Sequence, residues 1–481
     1  MSPAGAVYSF ADFEIDGRNR ELRRKNERVS LSDRYLSVLL HLAAHAGSIV
    51  TKDALVDAGW GDVAVGDNSL EQAVSTLRRV LGRDADGRQY VETVPRQGYR
   101  LAAAVTRKMA AESDDAIEAL LAPHRALIDG RAALETLERD QILRARTVFA
   151  QIVAANPDVA SAHVGLANAC ALQFEMTRAD ESPAVDALQL AVQHGYEACR
   201  LDTQNAEAWS TLSFILERVG RHTDAVAAGR RAIALEPDNW RHHFRLASIA
   251  WGEERLRAAR RTLALLPGFG LAHWLAVTVL VARQMLDEAV HELEGAIASD
   301  RRAGPEARFS AVALHWLLGL LYLARNDHAA ALESFERELV NESSGHLYAR
   351  ECCANTWYAI GAMHLRDRRF EDAAAGFSAA LQRVPRHRRA RLGLEFAQSP
   401  SAAIQTIPLA GTSSIDEVFC AAARHVRRGS PTEASALIDR ALSAAPPSNA
   451  GWLLPLEPLL YVTGAPDAWA TALARLRERT T

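Results

Sequence analysis

The sequence predicts a mainly α protein: a small α+β unit over residues 1–102, a linker at 103–116, and an all-α superhelix of helical repeats over 117–481. Three observations predict it. Apolar residues alternate with period two over 7–31, turn helical at Ser32, and alternate again at 90–101. From about residue 117 the period is helical throughout, and large and small residues recur at fixed offsets. Between these regions, residues 103–116 are rich in Ala, Asp, Glu and Ser and keep neither period, as a linker would.

In the first unit, Tyr8-Ser9-Phe10 and Phe13-Glu14-Ile15 precede the turn signal Asp16-Gly17, and Leu22, Val29 and Leu31 continue the alternation; together they read as a small antiparallel sheet. Ser32 or Asp33 caps a helix whose apolar face is Tyr35, Leu36, Leu39, Leu40 and Ala43 and which stops at Gly47. Thr51 caps a second helix through Leu55 and Val56, ending near Gly59-Trp60-Gly61, with Trp60 assigned to the core. A third begins at Asp67-Asn68, carries Leu70, Ala73, Val74, Leu77 and Leu81, and ends at Gly82. Tyr90–Val94 and Tyr99–Leu101 form a hairpin around Pro95-Arg96-Gln97-Gly98.

Sheet, three helices and hairpin, in that order, make a winged helix-turn-helix. Such a unit lays its third helix in the major groove of double-stranded DNA. Helix three divides as that requires. Leu70, Val74, Leu77 and Leu81 face inward, while Asn68, Ser69, Gln72, Ser75, Thr76 and Arg79 fall largely on the other side. Gln72 can pair with an adenine edge, and Arg79 with a guanine or a phosphate. Arg96, at the tip of the hairpin, suits a narrow minor groove. The bland reading is a merely solvated helix face; the helix-turn-helix layout before it and the Arg-tipped hairpin after it favour DNA.

The remainder repeats. Trp209, Leu212-Ser213, Leu216, Gly220, Ala225, Ala232 and Pro237 set the pattern. His315, Leu318-Gly319, Tyr322, Ala331 and Phe335 follow it, as do Trp357, Ile360-Gly361, His364, Ala373, Phe377, Ala380 and Pro385. The period of ~34 residues is that of tetratricopeptide repeats, in which stacked helix pairs form a superhelix with a concave face. Extra residues interrupt it between Cys170 and Ala206 and between Val340 and Ala354, and Trp452–Thr481 reads as a weaker match capping the stack.

The first unit resembles the DNA-binding domain of the OmpR/PhoB winged-helix family. Leu31-Ser32-Asp33, Gly47-Ser48-Ile49-Val50-Thr51-Lys52, Trp60, Asp67-Asn68-Ser69-Leu70, Leu77-Arg78-Arg79-Val80-Leu81-Gly82 and Glu92–Arg100 carry the likeness in the right order, over roughly residues 7–102. The resemblance implies a phosphate contact for Arg78, a backbone contact for Thr93 at the wing, and binding in tandem pairs, hence a homodimer on DNA. It also implies that Gly61, Asp62, Val63, Ala64, Val65 and Gly66 form a loop touching RNA polymerase, against a plain connection. Many family members carry a receiver domain first; this sequence opens on the winged helix, so the one-component branch, with repeats fused behind, is expected.

Composition agrees with a soluble globular protein: 49% hydrophobic, 24% charged, net charge -4. Residues 1–108 hold 16 Lys+Arg against 14 Asp+Glu, only +2, so DNA affinity rests on placed arginines rather than a basic field. Five scattered cysteines fit no zinc spacing and read as free thiols of a reducing cytoplasm. No secretory signal is present, and the most apolar window, Ala311–Ala324, is short and contains His315, so no membrane attachment is expected. GxxxxGK[ST], GxSxG and HExxH do not occur, Gly268-Phe269-Gly270 is too short for a dinucleotide fingerprint, and His242-His243 lacks ligand partners. No enzyme, cofactor or metal is expected. The basic run Arg383, Arg386, His387, Arg388, Arg389 and Arg391 is a solvated face, or a contact for phosphate, an acidic partner or a second DNA segment.

The expectation is a cytoplasmic, sequence-specific transcription regulator whose repeats bind a protein, peptide or small ligand or self-associate. The alternative is a repeat-based adaptor whose winged helix docks on protein.

Overall fold

The computed structural model describes residues 6–481 apart from 18, 61–66, 85, 110, 304–311 and 402–412. The chain divides into two compact units, Met1–Pro123 and His124–Thr481.

The first unit opens with β1 (Ala6–Phe10), β2 (Phe13–Asp16), β3 (Glu21–Arg24) and β4 (Glu27–Val29), a meander of antiparallel pairs. Alternation buries Tyr8, Phe10, Phe13, Ile15 and Leu22 on one face. Against them pack α1 (Asp33–Ala44), α2 (Lys52–Trp60) and α3 (Asp67–Leu81), then the hairpin β5 (Val91–Val94) and β6 (Gly98–Leu101). Trp60 is half-buried against this core.

The structure corrects the linker. Thr106–Met109 is a strand, β7, paired antiparallel with β1, with Ser9 opposite Thr106 and Val7 opposite Lys108. It completes the order β4-β3-β2-β1-β7. Four residues that include Arg107 and Lys108 show no apolar alternation; main-chain bonding to the otherwise open edge of β1 defines this strand, and charged side chains suit an edge. Arg107 also lies over the Tyr8 ring at 5.9 Å.

The second unit is a run of antiparallel helix pairs. Phe149, Phe335 and Phe377 are fully buried plugs at equivalent places. Each fills the space that a glycine leaves on a neighbouring helix: a Cβ on Gly165, Gly319 or Gly393 would come within 2.2–2.4 Å of these rings. Gly165→Ala therefore overpacks the first plug. We expect a loss of about 1–3 kcal/mol in urea unfolding, partly recovered when Phe149→Leu is added.

The two irregular stretches meet each other. Glu175 and Arg178, late in the helix Ala160–Thr177 and just past it, face Tyr348 and Glu351 of the other insertion. Arg178 pairs with Glu351 at 2.8 Å and Arg350 with Asp180 at 2.5 Å. Beside them Leu347 N–H donates to the Leu137 carbonyl at 2.8 Å, and Arg139 N–H to that of Gly345 at 3.1 Å. The superhelix thus closes across its own turn. The C-terminal stretch packs on the helix Pro431–Ala444, as a cap would, and also reaches back to mid-array. There Arg283 donates to the Thr480 carbonyl at 2.8 Å, and Trp274 meets Trp452 edge to face at 5.8 Å.

The basic run is engaged internally. Arg383 pairs with Glu342, Arg388 with Glu417, and Arg389 with Glu457 and Asp416. Arg386 and Arg391 donate to the carbonyls of Asp180 and Pro385. His387, buried, bonds Asn355. Arg383, Arg388 and Arg389 thus tie separate segments together, while Arg386, Arg388 and Arg391 stay exposed. His242 and His243 bond Glu236 and the Pro237 carbonyl, which accounts for them as packing residues. Among the described residues no helix is long and apolar enough to cross a membrane, and no group of three or more His, Cys, Asp and Glu is placed to hold a metal.

Candidate nucleic-acid interface

Two opposite faces of α3 organise the site. Leu70, Ala73, Val74, Leu77 and Leu81 are buried, which fixes the helix rotation. Gln72, Ser75 and Arg79, three and four residues apart, are exposed along the opposite side, with Ser69 and Thr76 half-buried on its flank. The helix ends at Gly82, whose φ of +77° turns the chain and lets its N–H donate to the Arg78 carbonyl at 3.0 Å. The backbone of Asn68 is helical, but its side chain lies outside the described residues, as does the whole loop Gly61–Gly66 expected to touch polymerase.

Arg78 has a role that spacing did not reveal. Its Nε donates to the Val91 carbonyl at 2.9 Å and a terminal nitrogen to Thr93 Oγ1 at 2.7 Å. Two residues expected as separate DNA contacts are therefore bonded to each other, and they brace α3 against the wing. Lys52 of α2 lies 3.8 Å from Glu71, an exposed pair near the start of the helix.

The wing has its own scaffold. Val50, between α1 and α2, exchanges two hydrogen bonds with Tyr99, at 2.8 and 2.9 Å, as a short third strand beside β6. Gly98 makes this approach possible: a Cβ there would lie 2.0 Å from the Val50 carbonyl oxygen, and its φ is +147°. Glu92 and Arg100 pair across the hairpin at 2.6 Å. At the tip, Gln97 N–H closes a turn onto the Val94 carbonyl at 3.1 Å, with Pro95 and Arg96 as its central residues. Arg96 holds φ +61°, a conformation ordinarily left to Gly or Asn. Val50 and Gly98 are the positioning residues the sequence argument missed; the turn dipeptide Gln97-Gly98 was the available signal.

Electrostatically, the interface has two cations to spare. Arg79 and Arg96 are both exposed, and neither has a carboxylate within 4.0 Å among the described residues. The surface offers hydrogen-bond donors, an amide and two guanidiniums on a rigid helix-plus-hairpin frame.

Comparison with known proteins gives this frame relatives. Residues 26–101 match the family described as transcriptional regulatory protein, C terminal, and residues 131–206, 215–267 and 275–346 match a tetratricopeptide repeat family. The transcriptional regulator HilA of Salmonella typhimurium is 39% identical over 95 residues, 19% of this chain and 16% of HilA. The cholera toxin transcriptional activator of Vibrio cholerae is 34% identical over 125 residues, 24% of this chain and 42% of that protein. The chain thus spans well under half the length of these relatives. Among solved structures, the Klebsiella pneumoniae RstA DNA-binding domain in complex with RstA box is 35% identical, covering 20% of this chain and 96% of that one, with a TM-score of 0.18.

Proposed function

Since residues 26–101 belong to the OmpR/PhoB-type transcriptional regulatory domains and tetratricopeptide repeats follow them, we propose that the protein is a sequence-specific regulator in which the winged helix selects the promoter and the repeat unit receives the controlling signal. One observation carries the first half: the exposed polar face of α3 and the wing tip each present an arginine with no counter-charge among the described residues, on a frame braced by Arg78 and Thr93. In this reading Gln72 and Arg79 face base edges, with Ser69, Ser75 and Thr76 beside them and Asn68 at the helix start. Arg96 enters the minor groove. Arg78 and Thr93 meet the phosphate backbone as one unit, because their mutual bond fixes both. Two copies sit in tandem on the promoter.

The test is a mobility shift on the chain's own promoter with Arg79→Ala and Arg96→Gly. Each should lose about 1–3 kcal/mol of binding. Arg79→Ala should leave unfolding within about 0.5 kcal/mol of wild type, as surface substitutions do. Arg96→Gly removes a left-handed non-glycine residue and should be neutral or more stable by about 1 kcal/mol. Unchanged DNA binding in both variants would sink the assignment. Affinity that does not fall with added salt would favour a protein-docking winged helix instead.

A further inference from the structure

Within the second unit, the helices Ala160–Thr177, Ala206–Arg218 and Trp240–Ile249 line a partly open cavity of about 140 Å³ together with the segment around Arg131 and Glu135. Tyr348, from the second insertion, lines it too. Three of its four arginines pair with a glutamate in or beside the lining. Arg131 pairs with Glu207, Arg241 with Glu135, and Arg218 with Glu175. Arg245 has no carboxylate within 4.0 Å among the described residues; its hydrogen-bond acceptor is the neutral amide of Asn168, at 2.7 Å. It stacks at 4.1 Å on Phe214, a ring that Arg218 shares at 4.3 Å. Burial pulls its guanidinium down to about 10, so it stays charged at neutral pH.

The repeat pattern singles out the same residue. At two of the three plugs a small residue follows sixteen residues later: Phe149 by Gly165, Phe377 by Gly393, the second insertion intervening after Phe335. Here the corresponding pair is Gly229 and Arg245. Packing alone gives no reason for a cation at this inward position, since a half-buried charge that has lost part of its hydration and has no counter-ion carries a cost. A charge of this kind is balanced when an anion arrives.

Size and lining narrow the ligand. A cavity of ~150 Å³ takes a molecule of about benzene's size. The lining mixes charged groups with five aromatic rings, Phe214, Trp240, Phe244, Phe269 and Tyr348, which give a flat apolar ring a surface that an inorganic anion would not use. One unmatched arginine fits one negative charge. We propose that this cavity binds a small aryl carboxylate, a single ring bearing one carboxylate, with Arg245 as the counter-ion.

The proposal rests on the reading that the repeat unit receives the signal, and benzoate tests the two separately. For the full-length chain we expect millimolar benzoate to raise the unfolding temperature, and calorimetry to show benzoate binding at least about tenfold tighter than its neutral isostere benzamide. Arg245→Met should lose the benzoate shift and, without ligand, unfold at a higher temperature than wild type, because it removes an uncompensated charge. Arg245→Lys should keep part of the benzoate shift, having the charge without the fork. No shift with benzoate overturns the proposal. So does an equal shift with benzamide or in Arg245→Met, or an Arg245→Met chain less stable than wild type. If benzoate binds through Arg245 and promoter affinity does not change, the cavity stands and the signal-receiving reading falls.

Discussion

Glu175→Ala is expected to cost the second unit about 3–5 kcal/mol, the usual penalty for stripping one partner from a buried ion-pair cluster. Glu175 is fully buried, with Arg218 Nε at 2.5 Å, Arg178 at 3.3 Å and the Tyr348 hydroxyl donating at 3.2 Å. Its removal leaves Arg218 without a carboxylate among the described residues, Arg178 with Glu351 alone, and cuts one of the bonds that hold the second insertion against the first. Calorimetric unfolding of the full chain measures the loss, and Glu175→Gln should fall between wild type and Ala, keeping an acceptor without the charge. The pH dependence has a defined sign. Desolvation alone would raise this carboxyl's pKa, but Arg178 and Arg218 outweigh it and hold the group below the ordinary 4.5. A depressed acid stabilises above its unfolded pKa. The contribution is therefore whole at neutral pH and disappears as the pH falls below about 4.5 through the folded-state pKa. In Glu175→Ala that acid-dependent component should be missing; a wild-type acid profile in the variant would refute it.

Gly98→Ala should undo the wing while sparing the repeats. The added methyl group would lie 2.0 Å from a backbone oxygen, which cannot swing away as a side-chain end can, and φ +147° is rarely adopted by L-residues. Strain and overpacking together suggest a loss of about 2–4 kcal/mol from the first unit. Two transitions followed separately, with DNA binding measured alongside, should show an early-melting winged helix that fails to shift the promoter and an unmoved repeat transition. Gln97→Ala, one residue away and exposed, is the control and should be near neutral. Wild-type DNA affinity in Gly98→Ala would mean that docking the wing on Val50 does not position it.

The sequence makes legible whatever depends on periodicity. The switch of period at Ser32, the Gly82 stop and the turn around Pro95 and Arg96 predict α1, α3 and the hairpin close to where they lie. The repeat rule likewise identifies the plugs Phe335 and Phe377, since a large residue at a fixed offset from a small one is a local pattern. Contacts made by main chain or at long range leave no such mark. β7 is held by backbone bonding to β1, which charged residues serve as well as apolar ones. For Arg78 the resemblance implies a phosphate contact; only the approach of β5 shows that its guanidinium also bonds Val91 and Thr93. The ion pairs of the run at 383–391 were not legible because its carboxylates, Glu342, Glu417 and Glu457, come from distant segments of the chain. Both interruptions of the repeat were visible as irregular spacing, but their pairing was not, because they lie 173 residues apart along the chain, as Arg178 and Glu351 do.

That pairing limits how this repeat array can change. An open solenoid tolerates the gain or loss of a module, since each module touches only its neighbours. Here Arg178 and Glu351 meet only if the helices between them turn through a fixed angle and rise a fixed height. Deleting one helix pair would carry the second insertion past its partner, taking Glu351 from Arg178 and the Tyr348 hydroxyl from Glu175. The number of modules between the insertions is thus set by a closure condition. Duplication and loss, the common route by which repeat proteins diversify, are open to this chain only outside the closed span.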